Sequence, residues 1–186
     1  GTWTSIIAIP PSASGAHNIN AYSPATTGGA TNVIFTVGAG ISLNPTSGSV
    51  GTSIVVSGAG FGTNDKNISV NFEGVSNPIA TVLKTTEGAW TAIFAVPPST
   101  GGDHTVTATV GSTKVTATFT TLPSVKLDMT TASAGSIITA SGTGFGPSQK
   151  NISVKFDDTE LVGNIAASST GAWTTSFPVP NAASGS

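Results

Sequence analysis

The chain has no cysteine, no arginine, one methionine and one tyrosine. Without cysteine there is no disulfide framework, no thiolate metal site and no thiol nucleophile, so packing alone must stabilise the fold. Charge is scarce as well. Only 8% of the 186 residues are charged, with six Lys against eight Asp and Glu, for a net charge of −2. Nucleic-acid binding needs clustered Lys and Arg, and this balance excludes it. No apolar run approaches the roughly 18–20 residues that cross a bilayer as a helix. No basic amphipathic stretch suits a membrane surface either, so no membrane insertion is expected within this segment. The opening Gly1-Thr2-Trp3 already reads as strand and lacks a signal-peptide pattern, as it would in a processed secreted protein or a piece of a longer one.

What is abundant is small and polar: 30 Thr, 24 Ser and 23 Gly, beside 38% apolar residues. Disorder goes with low hydrophobicity and high net charge, and neither applies. Self-similarity organises the rest. ISLNPTSGSVGTSIVVSGAGFG (41–62) returns as VKLDMTTASAGSIITASGTGFG (125–146), and KNISVNFEG (66–74) as KNISVKFDD (150–158), both shifted by 84. A Trp motif occurs three times, as GTWTSIIAIPPSASG from residue 1, GAWTAIFAVPPSTGG from 88 and GAWTTSFPVPNAASG from 171. AHNINAY (16–22) corresponds to DHTVTAT (103–109), and VIFTV (33–37) to ATFTT (117–121). The expected organisation is the C-terminal part of a repeat at 1–40, a complete repeat at 41–123 and the N-terminal part of a repeat at 124–186.

Period-two alternation gives the secondary structure. Ile68, Val70 and Phe72 match Ile152, Val154 and Phe156, with polar residues between them. Trp90, Ala92, Phe94 and Val96 match Trp173, Thr175, Phe177 and Val179, and also Trp3, Ser5, Ile7 and Ile9. Ile54 and Val56, Val106 and Ala108, and Phe119 complete the inward set, and Thr supplies the outward face. No window carries a 3.6-residue stripe. About seven short strands per repeat, punctuated by Gly, Pro, Asn and Ser, predict an all-β chain of tandem immunoglobulin-like β-sandwiches with incomplete terminal copies. Trp3, Trp90 and Trp173 are all expected to pack in cores.

Asn44-Pro45-Thr46-Ser47-Gly48, the strand ending Gly58-Ala59-Gly60-Phe61-Gly62, the Ile68-x-Val70-x-Phe72 strand and Gly102-x-His104-x-Val106 resemble the IPT/TIG-type immunoglobulin-like repeats of bacterial and archaeal surface proteins. The resemblance covers the whole chain and its motifs are structural. It implies extracellular spacing, adhesion or accessory roles beside enzymes, and transfers no catalytic residue.

The residues that could carry chemistry are few. His17 and His104 share one repeat position, but neither copy has a second His nearby, so each reads as a half-buried side chain bonded to a turn. Asp157, Asp158 and Glu160 cluster in a hairpin and Asp65 follows Gly62, yet a Ca²⁺ site built by the repeat would recur and these positions do not. No nucleophile elbow and no phosphate-cradling loop is present. No catalytic residue, cofactor site or metal site is therefore expected, and the chain is read as no enzyme. Asn67-Ile68-Ser69 and Asn151-Ile152-Ser153 are N-x-S sequons at one repeat position, which makes Asn67 and Asn151 candidate N-glycosylation acceptors. Their neutral reading is a shared strand-entry Asn without sugar.

The expected role is a non-catalytic structural module of an extracellular or cell-surface assembly, such as a filament, sheath or S-layer-like array. Its expected partners are copies of itself or further repeats of the same chain, head to tail, with glycans as a second class. The alternatives are an adhesion or carbohydrate-binding module and a spacer of a larger secreted protein. The Trp strand is present at both ends, whereas completing one terminal half with the other needs it once. That duplication favours a slice through a longer array.

Overall fold

The computed structural model describes residues 2–22 and 32–181, which form strands and no helix. Ahead of the middle repeat lie β1 (Gly15–Ile19) and β2 (Val33–Val37), an antiparallel pair in which Gly15 faces Val37 and Ile19 faces Val33. The middle repeat contributes β3 (Gly40–Asn44), β4 (Ser47–Gly48), β5 (Ser53–Ala59), β6 (Lys66–Phe72), β7 (Ala80–Lys84), β8 (Trp90–Ala95), β9 (Gly102–Val110) and β10 (Thr113–Thr121). The last segment carries β11 (Ser124–Leu127), β12 (Ile137–Thr143), β13 (Ile152–Phe156), β14 (Thr159–Ile165) and β15 (Trp173–Pro178).

The middle repeat is an immunoglobulin-like sandwich of a three-stranded sheet, β3-β5-β8, and a five-stranded sheet, β4-β10-β9-β6-β7. Its first strand divides at Pro45, which has no N–H to give to a ladder. Before the proline β3 pairs antiparallel with β5; beyond it β4 pairs parallel with β10, Ser47 opposite Thr120. That division adds a short eighth strand to the seven expected from alternation.

The nine core positions given by alternation, Ile54, Val56, Ile68, Val70, Phe72, Trp90, Phe94, Val106 and Phe119, are all buried. Phe72 of β6 meets Phe94 of β8 edge to face at 6.3 Å, joining the two sheets. Phe61, Leu43, Val96 and Ala108 are buried with them. Thr85 is fully buried too, because its hydroxyl donates to the Gly62 carbonyl at 2.7 Å and its amide to the Asp65 carbonyl at 3.0 Å. A buried polar group so paired avoids the desolvation cost of an orphan.

In the last segment β11-β12-β15 form one sheet and β13-β14 another. Ile138, Ala140, Ile152, Ala167, Trp173 and Phe177 form its buried cluster. Trp173 lies directly opposite Gly142, and a Cβ on that glycine would fall inside the indole ring. Gly58 stands in the same relation to Trp90. Each glycine therefore leaves the space in which the indole lies over the strand.

Trp3 corrects the expectation that all three tryptophans pack in cores. It is 75% exposed, against 6% for Trp90 and Trp173. The strand that covers Trp90 is β5 and the one that covers Trp173 is β12, whereas residues 2–10 form no strand. Alternation assigns a face, but burial needs a second surface to meet it.

The chain packs as two compact units. The first comprises Gly1–Asn44, Val55–Phe94 and Thr105–Ala117, and the second Pro45–Ile54, Ala95–His104 and Thr118–Ser186. The division runs through the middle repeat rather than between repeats, so each unit contains one junction of successive repeats.

Candidate functional site: the junction between repeats

Each junction is built from the same parts. Its connector is two residues long: Gly38-Ala39 joins β2 to β3, and Leu122-Pro123 joins β10 to β11. The Gly-x-Gly-Phe-Gly stretch that begins in the last two residues of β5 and of β12 leans on that connector. Gly60 adopts φ +71° and Gly144 φ +72°, where only glycine sits without strain. A Cβ on Gly144 would stand 2.6 Å from the Leu122 carbonyl oxygen, and one on Gly60 would meet the Gly38 carbonyl oxygen.

The next residue carries the hydrogen bonds. The Ser14 amide donates to the Phe61 carbonyl at 3.0 Å, and the Gly101 amide to the Phe145 carbonyl at 3.1 Å. Ser14 and Gly101 occupy the same place in the loop after the Trp motif, and Phe61 and Phe145 the same place in the following repeat. Within each repeat the Phe61 amide donates to the Gly88 carbonyl and the Phe145 amide to the Gly171 carbonyl. Each phenylalanine then sets its ring edge-on to the tryptophan beneath it, Phe61 to Trp90 at 5.4 Å and Phe145 to Trp173 at 5.6 Å. The junction is thus tied directly to the core of the repeat that follows.

The two histidines serve these loops. His17 Nε2 lies 2.9 Å from the Ala13 carbonyl and His104 Nε2 2.8 Å from the Thr100 carbonyl. A carbonyl oxygen only accepts, so Nε2 carries the proton in both. Each ring holds the residue next to the loop amide that crosses the junction. This is the turn-bonding role read from the sequence, and it gives His17 and His104 their shared position.

Asp65, considered above for Ca²⁺, and Gln149 at the matching position do one task with different chemistry. Asp65 Oδ2 accepts from the Gly62 amide at 2.8 Å, and Gln149 Oε1 from the Gly146 amide at 2.9 Å. The repeat uses the acceptor oxygen and not the charge. Asp157 and Asp158 form the two-residue turn between β13 and β14, with Phe156 paired to Thr159. No group of three or more His, Cys, Asp or Glu fit to hold a metal occurs among the described residues.

Residues 40–124 match the IPT/TIG domain. No curated protein matches the chain. The TIG domain is an immunoglobulin-like module, and here it runs from the residue after the first connector to the residue after the second.

Both sequon asparagines are exposed at the entry to a strand, with φ +56° at Asn67 and +60° at Asn151. Asn tolerates the left-handed region better than other residues with a side chain. Backbone conformation thus accounts for the recurring Asn whether or not sugar is attached. Asn67→Gly should leave stability within about 0.5 kcal/mol, while Asn67→Val should lose roughly 1–2 kcal/mol. Urea unfolding of both variants checks this; a Val variant as stable as the Gly variant would remove the conformational explanation. Intact-mass analysis of the native protein with and without glycosidase reports separately on sugar.

Sequence reasoning did not single out Gly60, Phe61, Gly144 and Phe145 as junction residues. The available signal was their recurrence in phase with the Trp-motif loop, two segments that alternation analysis handles one at a time.

Proposed function

We propose that the chain is a non-catalytic structural repeat module of an extracellular surface assembly, a filament, sheath or S-layer-like array, in which successive repeats join head to tail. The observation that carries this reading is the junction, whose connector, glycine, phenylalanine, histidine and loop amide recur at both joints with nearly the same distances. A two-residue connector held by a backbone hydrogen bond and close glycine packing transmits load between repeats, whereas a spacer needing only reach is served by a flexible linker. An uncharged Thr- and Ser-rich exterior suits dense packing beside like copies, since it carries little self-repulsion.

Antibody raised against the purified protein should decorate regular structures at the cell surface in electron micrographs of native cells. Label confined to the cell interior, or dispersed on a soluble secreted enzyme, would overturn the assembly reading, and the second result would establish the spacer instead. Trp3 and Tyr22 are exposed aromatics, and this favours sugar binding as a second reading. Selective retention on a glycan array, lost in Trp3→Ala, would establish it.

A further inference from the structure

The first strand of the middle repeat, once past Pro45, lies beside the last and runs the same way. β4 pairs parallel with β10, Ser47 opposite Thr120 and Gly48 opposite Thr121. The Thr120 amide donates to the Thr46 carbonyl at 3.0 Å, and the Leu122 amide to the Gly48 carbonyl at 2.9 Å. The pairings of β3 with β5 and of β6 with β7 and β9 are antiparallel. A parallel ladder is slightly less stable per residue than an antiparallel one, and this one holds only two facing pairs. Equilibrium stability therefore gives little reason for it, whereas its direction does.

Direction matters under tension. The chain enters the repeat through Gly38-Ala39 and leaves it through Leu122-Pro123. A pull on both connectors draws β4 back toward Pro45 and β10 forward toward Pro123. In parallel strands those two pulls are opposed and run along the strands. The bonds between them are evenly spaced along the ladder, so they are strained together rather than one after another. Strands pulled apart from one shared end would instead lose their bonds in sequence.

The surroundings of this pair stop it from sliding. Directly after β4, the Gly51 amide donates to the Val96 carbonyl and the Val96 amide to the Thr52 carbonyl, both at 2.9 Å. The Thr121 hydroxyl, at the end of β10, lies 3.2 Å from the Ser99 hydroxyl, and both side chains are buried. Separating a buried hydroxyl pair leaves two polar groups unsatisfied. All of these residues fall in one compact unit, which gathers Pro45–Ile54, Ala95–His104 and Thr118–Ser186. Leu122 links the pair to the second junction. Its amide bonds Gly48, and its carbonyl is the one that Gly144 approaches. Tension from the following repeat thus reaches the β4–β10 ladder at the connector itself.

We infer that β4 and β10 form a shear clamp, through which the middle repeat resists extension along a head-to-tail array. The inference rests on the head-to-tail reading for the direction of the load, but the strength of the clamp is a property of the chain alone. Forced unfolding follows the rate of unfolding rather than equilibrium stability, so a short ladder placed between the two loaded ends governs mechanical strength out of proportion to its size.

The absence of cysteine allows anchors at chosen positions. Two forms of the 186-residue chain are stretched between DNA handles in an optical trap. One carries Gly38→Cys and Pro123→Cys, which loads β4 against β10 in shear. The other carries Gly38→Cys and Ser112→Cys, the latter in the turn between β9 and β10, which pulls β4 and β10 from the same end. Gly38, Ser112 and Pro123 are all exposed, and a Cβ on Gly38 meets nothing within 4 Å. The first form should unfold at about twice the force of the second or more. Adding Leu122→Pro removes one of the two amide bonds that close the ladder. It should lower the force in the first form by roughly half and leave the second unchanged. Circular dichroism and a urea midpoint check that this variant keeps its fold; if it does not, the two anchor pairs without it decide the matter. Equal forces in the two forms, or a loss on Leu122→Pro of the same size in both, would overturn the clamp. Neither result bears on antibody labelling of native cells, which tests the surface assembly separately.

Discussion

Replacing Trp90 with alanine should destabilise the middle repeat by about 3–5 kcal/mol, the range for deleting a large buried aromatic from a core. Burial of some 150–250 Å² at about 25 cal/mol per Å² sets the scale at roughly 4–6 kcal/mol. The edge-on contact with Phe61 adds to it. One opposing feature is present: the indole N–H of Trp90, like that of Trp173, is buried without a hydrogen-bond acceptor. An orphan donor costs about 1–3 kcal/mol, so area and ring contact outweigh it, but it lowers the penalty of Trp90→Phe to about 1 kcal/mol. Trp3→Ala, at the same repeat position but exposed, should change stability by less than about 0.5 kcal/mol. Urea unfolding followed by circular dichroism separates the three. A midpoint unmoved in Trp90→Ala, or moved as far in Trp3→Ala, would show that the assigned burial is wrong.

At the second junction, Gly144→Ala should open the joint without unfolding the sandwiches. Two effects add there. A side chain at φ +72° costs about 1–2 kcal/mol, and a Cβ 2.6 Å from the Leu122 carbonyl oxygen presses on backbone that no rotamer change can relieve, at about 1–3 kcal/mol more. The connector must shift, and with it the bond from the Gly101 amide to Phe145. A loss of about 2–5 kcal/mol corresponds to roughly 30- to 5000-fold faster hydrogen exchange, confined to the Gly101 and Phe145 amides if opening is local. The amides of Val70 and Val106, deep in the middle repeat, should keep their protection. Uniform acceleration across the chain would mean that Gly144 supports the whole fold, and unchanged exchange at Gly101 would mean that the joint does not depend on it. Gly60→Ala should act the same way on the first junction, read at the Ser14 amide.

Both experiments probe a boundary between what is local and what is not. The inward face of each strand was legible because alternation is a property of the backbone: Ile68, Val70 and Phe72 share one side of β6 whatever surrounds them. The Pro45 division was not, since parallel pairing of β4 with β10 joins residues more than 70 positions apart. Thr85 looked like one more surface threonine in a chain with 30 of them. Its burial follows from the carbonyl of Gly62, which the intervening turn brings to its hydroxyl.

The sequence by itself determined the all-β class, the alternating inward faces and the pairing of the two histidines with their turns. These depend on side-chain chemistry repeated at fixed spacing. Only the tertiary structure decided which copies of a motif are buried and where successive repeats touch. Trp3 and Trp90, or Phe35 and Phe119, stand in similar local sequences but differ in exposure, because burial belongs to a pair of surfaces and not to one strand. The junction is of the same kind. Gly60 and Gly144 are required by carbonyl oxygens on the preceding connector, a contact between segments that no single window of sequence contains.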